Sequence, residues 1–280
     1  MTNILKAIHN FSKYNITKIG IHYKNTIRIQ QVGDSLEYFI KDLLADSINV
    51  NDRSVKDEIY SKCFSYLGGT NNPPDLMIRN GDAFEIKKIE HLGGSIALNS
   101  SFPKQKLFND DAFINKACQT CEGWKEKDIV YAIGTIDKST NDIKSLWMVY
   151  GDCYCADRSV YERIKKTISY GVNDIKGVEF SETKELGRVN KIDPLGITYL
   201  RIRGMWGIEH PVSVFGYLIK GYEENILNVI MLEKKYLSFP SDDRELLGKD
   251  SRIKISPIKI KNPDNPAILL NAVHISIKRG

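Results

Sequence analysis

The chain has 280 residues and a mass of 31.9 kDa, a length that fits one large domain or one core with a substantial insertion. Apolar residues make up 42% and charged residues 27% of the chain, which is ordinary globular usage and excludes disorder, collagen and coiled coil for the whole chain. Forty basic against 35 acidic residues give a net charge of +5, which is compatible with an anionic partner but does not prove one. The sequence has no uncharged apolar stretch of the roughly 18 residues that a membrane span requires, and no secretory signal, so we expect a cytoplasmic protein.

The N-terminal part of the sequence is predicted to be helical. Apolar residues at helical spacing predict a first helix over residues 3–14. A second helix is predicted to begin after Gly33, with Asp34 as its N-cap and Glu37 three positions later, which is the spacing of a capping box. A third helix is predicted over residues 53–67, before a pair of glycines.

The sequence then alternates between strands and helices. Strands are predicted over residues 75–78, 83–89, 129–136 and 146–155, helices over 111–124 and 157–170, and a loop with a short apolar segment (96–98) over 93–110. This alternation predicts the α/β (α+β) class, with a mixed sheet flanked by helices.

The last third of the sequence is predicted to be rich in strands. The predicted strands after Gly177 cover residues 196–202, 212–219, 229–232 and 252–255. We therefore expect one domain over residues 1–280, with a catalytic core at 32–170 and a β-rich C-terminal extension at 177–280.

Residues 74–87 carry the most informative pattern, an aspartate before a predicted hairpin and a Glu-x-Lys on its return strand. Metal-dependent hydrolysis of a phosphodiester bond needs carboxylates that converge on a hard cation such as Mg²⁺, and a positive group near the attacking water and the phosphate. Residues two apart in a strand share a face, so Glu85 and Lys87 point the same way. Asp75, Glu85 and Lys87 are therefore the predicted catalytic residues, with Asp75 and Glu85 as metal ligands.

Whether Asp75 joins the other two depends on the register of the hairpin. A three-residue loop at 79–81, with Gly81 in the left-handed conformation, would place Asp75 opposite Glu85. Opposed residues lie about 4.5–5.5 Å apart at Cβ, which suits one shared cation. A two-residue Asn80-Gly81 turn would turn Asp75 to the other face. We favour the three-residue loop because it leaves that other face wholly apolar.

Further interpretations concern Lys87 and Glu37. Two carboxylates beside Lys87 favour its ammonium form, so we expect it to hydrogen-bond the phosphate or a metal-bound water rather than act as a free general base. Glu37 either closes the capping box with Asp34 or faces the metal and its ligands. The alternative for the trio is a solvated sheet face, where acids and lysines are common.

The pattern resembles the PD-(D/E)xK nuclease superfamily, in which an Asp and an acidic-x-Lys lie on adjacent strands behind a helix. It stands here as Pro74-Asp75 and Glu85-Ile86-Lys87. Three further stretches are similar to type II restriction endonucleases of the NgoPII-like family: GDSLEYFIKDLL, IALNSSFPKQKL and LRIRGMWGIEHP. The similarity covers about residues 33–215.

This resemblance implies a restriction-endonuclease-like fold and Mg²⁺-dependent cleavage of double-stranded DNA at a short palindrome by a homodimer. GGCC is the site associated with the namesake of the family. Two other functions stay open: a repair or recombination nuclease that cuts by DNA structure, and a DNA-binding protein without catalysis.

Seven residues outside the trio are candidates for DNA contact. Because half or more of protein–DNA hydrogen bonds go to phosphate and sugar, most basic residues should position the DNA rather than read it. The candidates for phosphate contact are Lys104 and Lys106, and those for backbone or base contact are Asn99, Ser100 and Ser101. Arg201 and Arg203 share a strand face and could read guanine edges, although a solvated strand face explains them as well.

Overall fold

The computed structural model describes residues 2–24, 32–69 and 72–279. The helices are α1 Ile4–Tyr14, α2 Ile19–Lys24, α3 Val32–Ala45, α4 Arg53–Cys63, α5 Lys116–Thr120, α6 Gly151–Tyr154, α7 Arg158–Asn173, α8 Pro211–Phe215, α9 Glu233–Ser238 and α10 Ser241–Lys249. The strands are β1 Phe64–Leu67, β2 Leu76–Ile78, β3 Ala83–Ile89, β4 Ile96–Asn99, β5 Lys106–Phe108, β6 Glu126–Ile136, β7 Ile143–Tyr150, β8 Glu179–Ser181, β9 Gly187–Asn190, β10 Leu200–Ile202, β11 Trp206–Ile208, β12 Asn225–Leu232, β13 Ile253–Asn262 and β14 Asn265–Lys278. None of the helices in the described ranges is long and apolar enough to cross a lipid bilayer.

A mixed sheet of nine strands lies at the centre of the described structure. Its order is β1-β2-β3-β6-β7-β12-β14-β13, with β5 paired to β6. The pairs β3–β6 and β7–β12 are parallel and the other neighbours are antiparallel. Strands β6, β7 and β12 are buried almost throughout, which matches their near-continuous apolar sequences. The predicted α/β class and mixed sheet are confirmed.

Helix α3 approaches the sheet at a glycine. A Cβ atom at Gly134 in β6 would lie 2.7 Å from Cδ2 of Leu36, so a larger residue at this position would displace the side chain of Leu36 on α3. On α3, the ring of Phe39 meets that of Phe11 from α1 edge to face, at 5.9 Å between centroids. The helix that carries Glu37 is thereby held beside the strands that carry the predicted trio.

The C-terminal third is rich in strands, as predicted, but its strands belong to different sheets. Strands β12, β13 and β14 complete the central sheet. Strands β8, β9 and β10 form a separate three-stranded sheet, and β11 forms a two-stranded sheet with β4. Residues 177–280 are therefore partly continuous with the central sheet rather than appended to it.

Several predicted bounds at the N-terminal side are wrong. Helix α3 begins at Val32 and includes Asp34, so Asp34 is not its N-cap, and the side chain of Asp34 lies outside the described residues. Helix α4 ends at Cys63, because the next four residues form β1 and pair with β2. The predicted helix over 111–124 is reduced to α5, since the side chain of Asn115 caps it by accepting the backbone N–H of Cys118.

Other corrections lie further along the chain. Residues 212–219, predicted as a strand, contain most of α8 and a single-turn 3-10 helix, Gly216–Leu218. Pro211 suits the first turn of a helix, and Nδ1 of His210 accepts the backbone N–H of Val212. Strand β7 ends at Tyr150 rather than near residue 155, and α6 follows it.

Candidate active site

The hairpin between β2 and β3 has the predicted register. Leu76 pairs with Phe84, and the backbone N–H of Ile78 donates to the carbonyl oxygen of Asp82 at 2.9 Å, which leaves residues 79–81 as the loop. The three-residue loop is therefore confirmed, but the left-handed residue is different.

The left-handed conformation belongs to Asn80, with φ of 54°, and not to Gly81. Asparagine tolerates this conformation better than most residues do. Gly81 is needed for space instead, because a Cβ atom there would lie 2.9 Å from Cγ2 of Ile78.

The trio lies together in one cleft of about 600 Å³. Asp75 directly precedes β2, and its backbone N–H donates to the carbonyl oxygen of Phe84 at 2.9 Å. Its Oδ2 accepts the backbone N–H of Ile86 at 2.5 Å, which fixes the direction of the carboxylate. Glu85 and Lys87 follow on β3, and all three side chains line the cleft.

Glu85 has one oxygen in an ion pair and one without a partner. Its Oε1 lies 2.7 Å from Nζ of Lys87, and the two side chains are only 11% and 22% exposed. Within the part of the chain that the structure describes, the buried Oε2 has no hydrogen-bond partner. A buried carboxylate oxygen without a donor is costly, and a hard cation is the kind of ligand that would satisfy it.

The charges of the trio are poorly balanced. Burial, followed by the charge of Glu85, raises the pKa of Asp75 to about 7, against the opposing effect of Lys87. Burial lowers the pKa of Lys87, but the charges of Glu85 and Asp75 outweigh it and leave that pKa above its usual value. Lys87 is therefore an ammonium ion, as expected, and not a free base.

The described residues contain no group of three or more His, Cys, Asp and Glu side chains arranged to hold a metal ion. Two carboxylates are nevertheless enough for Mg²⁺, which takes one or two of them and completes its shell with water and substrate phosphate. The donor set of Asp75 and Glu85, all oxygen, fits such an ion.

Glu37 does not form the capping box. Its Oε1 accepts a hydrogen bond from Nζ of Lys41, one turn later on α3, at 2.5 Å. Its charge is close enough to raise the pKa of Asp75, as the smallest of several causes. Its support of the metal ligands stays a prediction.

Four of the DNA-contact candidates line the same cleft as the trio: Asn99, Ser100, Ser101 and Arg203. Asn99 ends β4 with φ of 54°, and this left-handed residue turns the chain into the loop that holds the two serines. Arg201 lies on β10, and Arg203 directly follows the end of that strand rather than lying within it; both residues are exposed. The structure thus brings together segments that are far apart in the sequence.

Both lysine candidates for phosphate contact are held in ion pairs with acidic side chains. The ammonium of Lys104 is buried, 3.0 Å from Oδ2 of Asp111, and lies over the ring of Phe102. A phosphate would have to compete with Asp111 for this ammonium, and phosphate contact by Lys104 stays a prediction. Lys106 lies 2.8 Å from Oε1 of Glu126 and 3.6 Å from Oδ1 of Asp128, and it pairs with Asp128 near the start of β6.

Sequence reasoning missed Glu185, between β8 and β9. Its carboxylate accepts hydrogen bonds from Nε of Arg201 at 3.0 Å, Nε of Arg203 at 2.8 Å and Oγ of Ser100 at 3.1 Å. It also lines the cleft of the trio. No local pattern around Glu185 indicates this role, because its partners lie 16 to 85 residues away.

Comparisons with known proteins show which family the chain belongs to. The family model of the NgoPII restriction endonuclease matches residues 2–261. The chain is 50% identical over 272 residues to the type II restriction enzyme NgoPII of Neisseria gonorrhoeae, an alignment that covers 96% of this chain and 97% of that protein. No solved structure matches the chain. By both its family match and this identity, the chain belongs to the NgoPII restriction endonuclease family.

Proposed function

We propose that this protein is a type II restriction endonuclease, a site-specific deoxyribonuclease that hydrolyses phosphodiester bonds of double-stranded DNA with Mg²⁺. The observation that carries the proposal is the cleft in which Asp75 and Glu85 lie beside Lys87. The membership of the family and the 50% identity to a restriction enzyme support the substrate class.

Asp75 and Glu85 would hold the metal ion. The unpartnered Oε2 of Glu85 and the Asp75 carboxylate, oriented by the N–H of Ile86, supply the oxygen atoms. When bound, Mg²⁺ lowers the pKa of a coordinated water and offsets negative charge on the phosphate.

Lys87 would act on the substrate as a fixed positive charge. Its ion pair with Glu85 keeps the ammonium in place, and its raised pKa keeps it charged at neutral pH. From this position it donates a hydrogen bond to a phosphate oxygen or to the attacking water, and stabilises the charge that develops there.

We further propose a homodimer and a short palindromic target, with GGCC as the first site to test. A twofold dimer presents the same surface to each half of a palindrome. The whole chain would act as one nuclease domain, since β12, β13 and β14 complete the sheet that carries the trio. The segments around Ser100 and Arg203, which border the cleft, would contact the DNA.

The test is digestion of a plasmid of known sequence with and without Mg²⁺, followed by sequencing of the cut ends. We expect discrete fragments whose ends share one short palindrome. Lys87→Ala should abolish them, whereas Lys88→Ala, whose side chain points to the opposite face of β3, should cut as the unchanged protein does.

Three results would contradict the proposal. Cleavage at branched or gapped DNA without a common sequence would indicate a structure-specific nuclease. Binding without cleavage would indicate a DNA-binding protein. Undiminished cleavage by Lys87→Ala would show that Lys87 has no part in the mechanism.

A further inference from the structure

Glu185 is a buried carboxylate that holds two exposed arginines. Its side chain is 6% exposed, whereas those of Arg201 and Arg203 are 58% and 62% exposed. Its Oε2 accepts Nε of Arg201, and its Oε1 accepts Nε of Arg203 together with Oγ of Ser100. Both of its oxygens are therefore engaged in holding other side chains.

Stability alone does not account for this arrangement. Ion pairs to exposed arginines contribute little to stability, while burying a carboxylate costs free energy. Burial raises the pKa of Glu185, but the hydrogen bonds of Ser100 and Arg203 and the charges of both arginines bring it below its usual value. The carboxylate is thus ionised and fixes two guanidinium groups in direction.

Glu185 contacts only one side of each guanidinium group, and the edge that carries Nη1 and Nη2 does not contact it. Both arginines donate to Glu185 through Nε, so the Nη1 and Nη2 atoms remain for another acceptor. Two parallel N–H groups of an arginine match O6 and N7 of guanine in the major groove. An arginine held in advance loses less conformational entropy when it binds.

The position of this cluster relates it to the trio. Glu185 and Arg203 line the cleft that holds Asp75, Glu85 and Lys87. The bond from Ser100 ties Glu185 to the loop after β4, which borders the same cleft. DNA whose phosphate lies at Lys87 would therefore pass close to Arg203.

We propose that Glu185 is a positioning residue for sequence recognition, which holds Arg201 and Arg203 by their Nε atoms and presents their Nη edges to guanine bases. This inference rests on the proposed function. A merely structural Glu185 would affect folding alone. A merely electrostatic Glu185 would oppose DNA of any sequence, and its removal would strengthen binding to every duplex.

The experiment compares the affinity of two short duplexes, one with a central GGCC and one with the same bases in a scrambled order. Ca²⁺, another oxygen-bound cation, replaces Mg²⁺ so that binding is measured without turnover. The variants are Glu185→Gln, which removes the charge and keeps the shape, and Arg203→Lys, which keeps the charge and removes the planar fork. Glu182→Gln, at an exposed glutamate of the same loop, is the matched control.

We expect Glu185→Gln to lower the preference for the GGCC duplex by about tenfold to a hundredfold. Its affinity for the scrambled duplex should stay the same or rise, because a negative charge is lost. Arg203→Lys should lower the preference by a similar factor. The double variant should lose less preference, in free energy, than the two single variants together, since both changes remove the same interaction. Glu182→Gln should keep the preference, and melting curves show whether each variant folds.

Equal strengthening of both duplexes by Glu185→Gln, or an unchanged preference, would overturn the inference while leaving the proposed function intact. If Glu185→Gln fails to fold, Arg203→Lys becomes the test of the inference. An unchanged preference in that variant overturns it. If the unchanged protein itself shows no preference for any mapped site, the proposed function fails and this inference fails with it.

Discussion

Two buried acids near α3 differ in how completely their carboxylate oxygens are hydrogen-bonded. Asp42, on α3, is fully buried and accepts hydrogen bonds from Lys56, Tyr23, Tyr60 and Ser47 at 2.6 to 2.7 Å. Glu85, in the cleft, has one partner at 2.7 Å and one oxygen that no described group satisfies. A buried acid whose hydrogen bonds are all satisfied stabilises the fold, whereas two neighbouring acids with one unpartnered oxygen indicate a site for a cation.

The largest expected effect follows from Asp75→Asn. Loss of one of two metal ligands should lower kcat/KM for DNA cleavage by about a thousandfold or more. The rate on a plasmid with one mapped site measures this, and exposed Asp57→Asn is the matched control. Cleavage within about tenfold of the unchanged protein would place the metal ligands elsewhere.

The same variant should not lose stability in the absence of metal. The pKa of Asp75 in the folded protein, about 7, lies above its unfolded value, so the folded protein binds the proton more tightly. Its contribution is present below the unfolded pKa and is lost as pH rises through about 7. At about pH 8 metal-free Asp75→Asn should unfold at the same or higher urea concentration. A clear loss of stability would contradict the charge imbalance of the cleft.

Asp42→Asn should behave in the opposite way. Removing one partner of the buried pair leaves the ammonium of Lys56 without its counter-charge, and costs about 3–5 kcal/mol of unfolding free energy. Urea unfolding measures this loss, again with Asp57→Asn as control. Cleavage per folded molecule should be unchanged. A stability loss below about 1 kcal/mol would remove the contrast with Asp75.

A third buried titratable group, His274 on β14, is held neutral. It is 5% exposed, and its Nε2 lies 2.9 Å from Oδ1 of Asn228. Burial, with the charge of Lys254, lowers its pKa to about 4. Its stabilising effect is therefore present above the unfolded pKa of about 6.5 and is lost as pH falls toward 4.

Between about pH 7.5 and about pH 5 the unchanged protein should lose about 2 kcal/mol more stability than His274→Gln. His210, whose pKa burial also lowers to about 4, is present in both proteins and cancels in the comparison. Equal pH dependence of the two proteins in urea unfolding would show that the pKa of His274 is not lowered in the folded state.

The smallest expected effect concerns Lys106. Because this lysine already contacts Glu126 and Asp128, Lys106→Ala should change DNA affinity and its dependence on salt little. Affinity measured over a series of salt concentrations tests this. A fall of about one unit in the slope of log affinity against log salt concentration would indicate that Lys106 contacts a phosphate.

The parts of the structure that the sequence predicted well depend on local signals. Helix α1 has apolar residues at helical spacing, an N-cap at Asn3 and a left-handed C-cap at Asn15. The hairpin has a three-residue loop, Arg79-Asn80-Gly81, between β2 and β3, and its register brings Asp75 and Glu85 together. Local chemistry determines both features, so both could be predicted from the sequence alone.

The parts that the sequence did not predict depend on distant partners. Residues 64–67 continue a helical pattern, and only their pairing with β2 makes them a strand. Lys104 looks like a free cation in the sequence, but Asp111 neutralises it. Glu185 stands among other charged residues, and its role appears only when Ser100 and the two arginines are placed around it.

The central claim is that Asp75 and Glu85 share a divalent cation. Anomalous X-ray diffraction from crystals soaked in Mn²⁺, in a preparation that cleaves DNA with Mn²⁺, tests it most directly. We expect an anomalous peak in contact with the carboxylates of both residues, and we expect Asp75→Asn to lose that peak. The claim would be contradicted by the absence of a peak there, or by a peak only at Asp82 and Asp128, the two acids paired with Lys235.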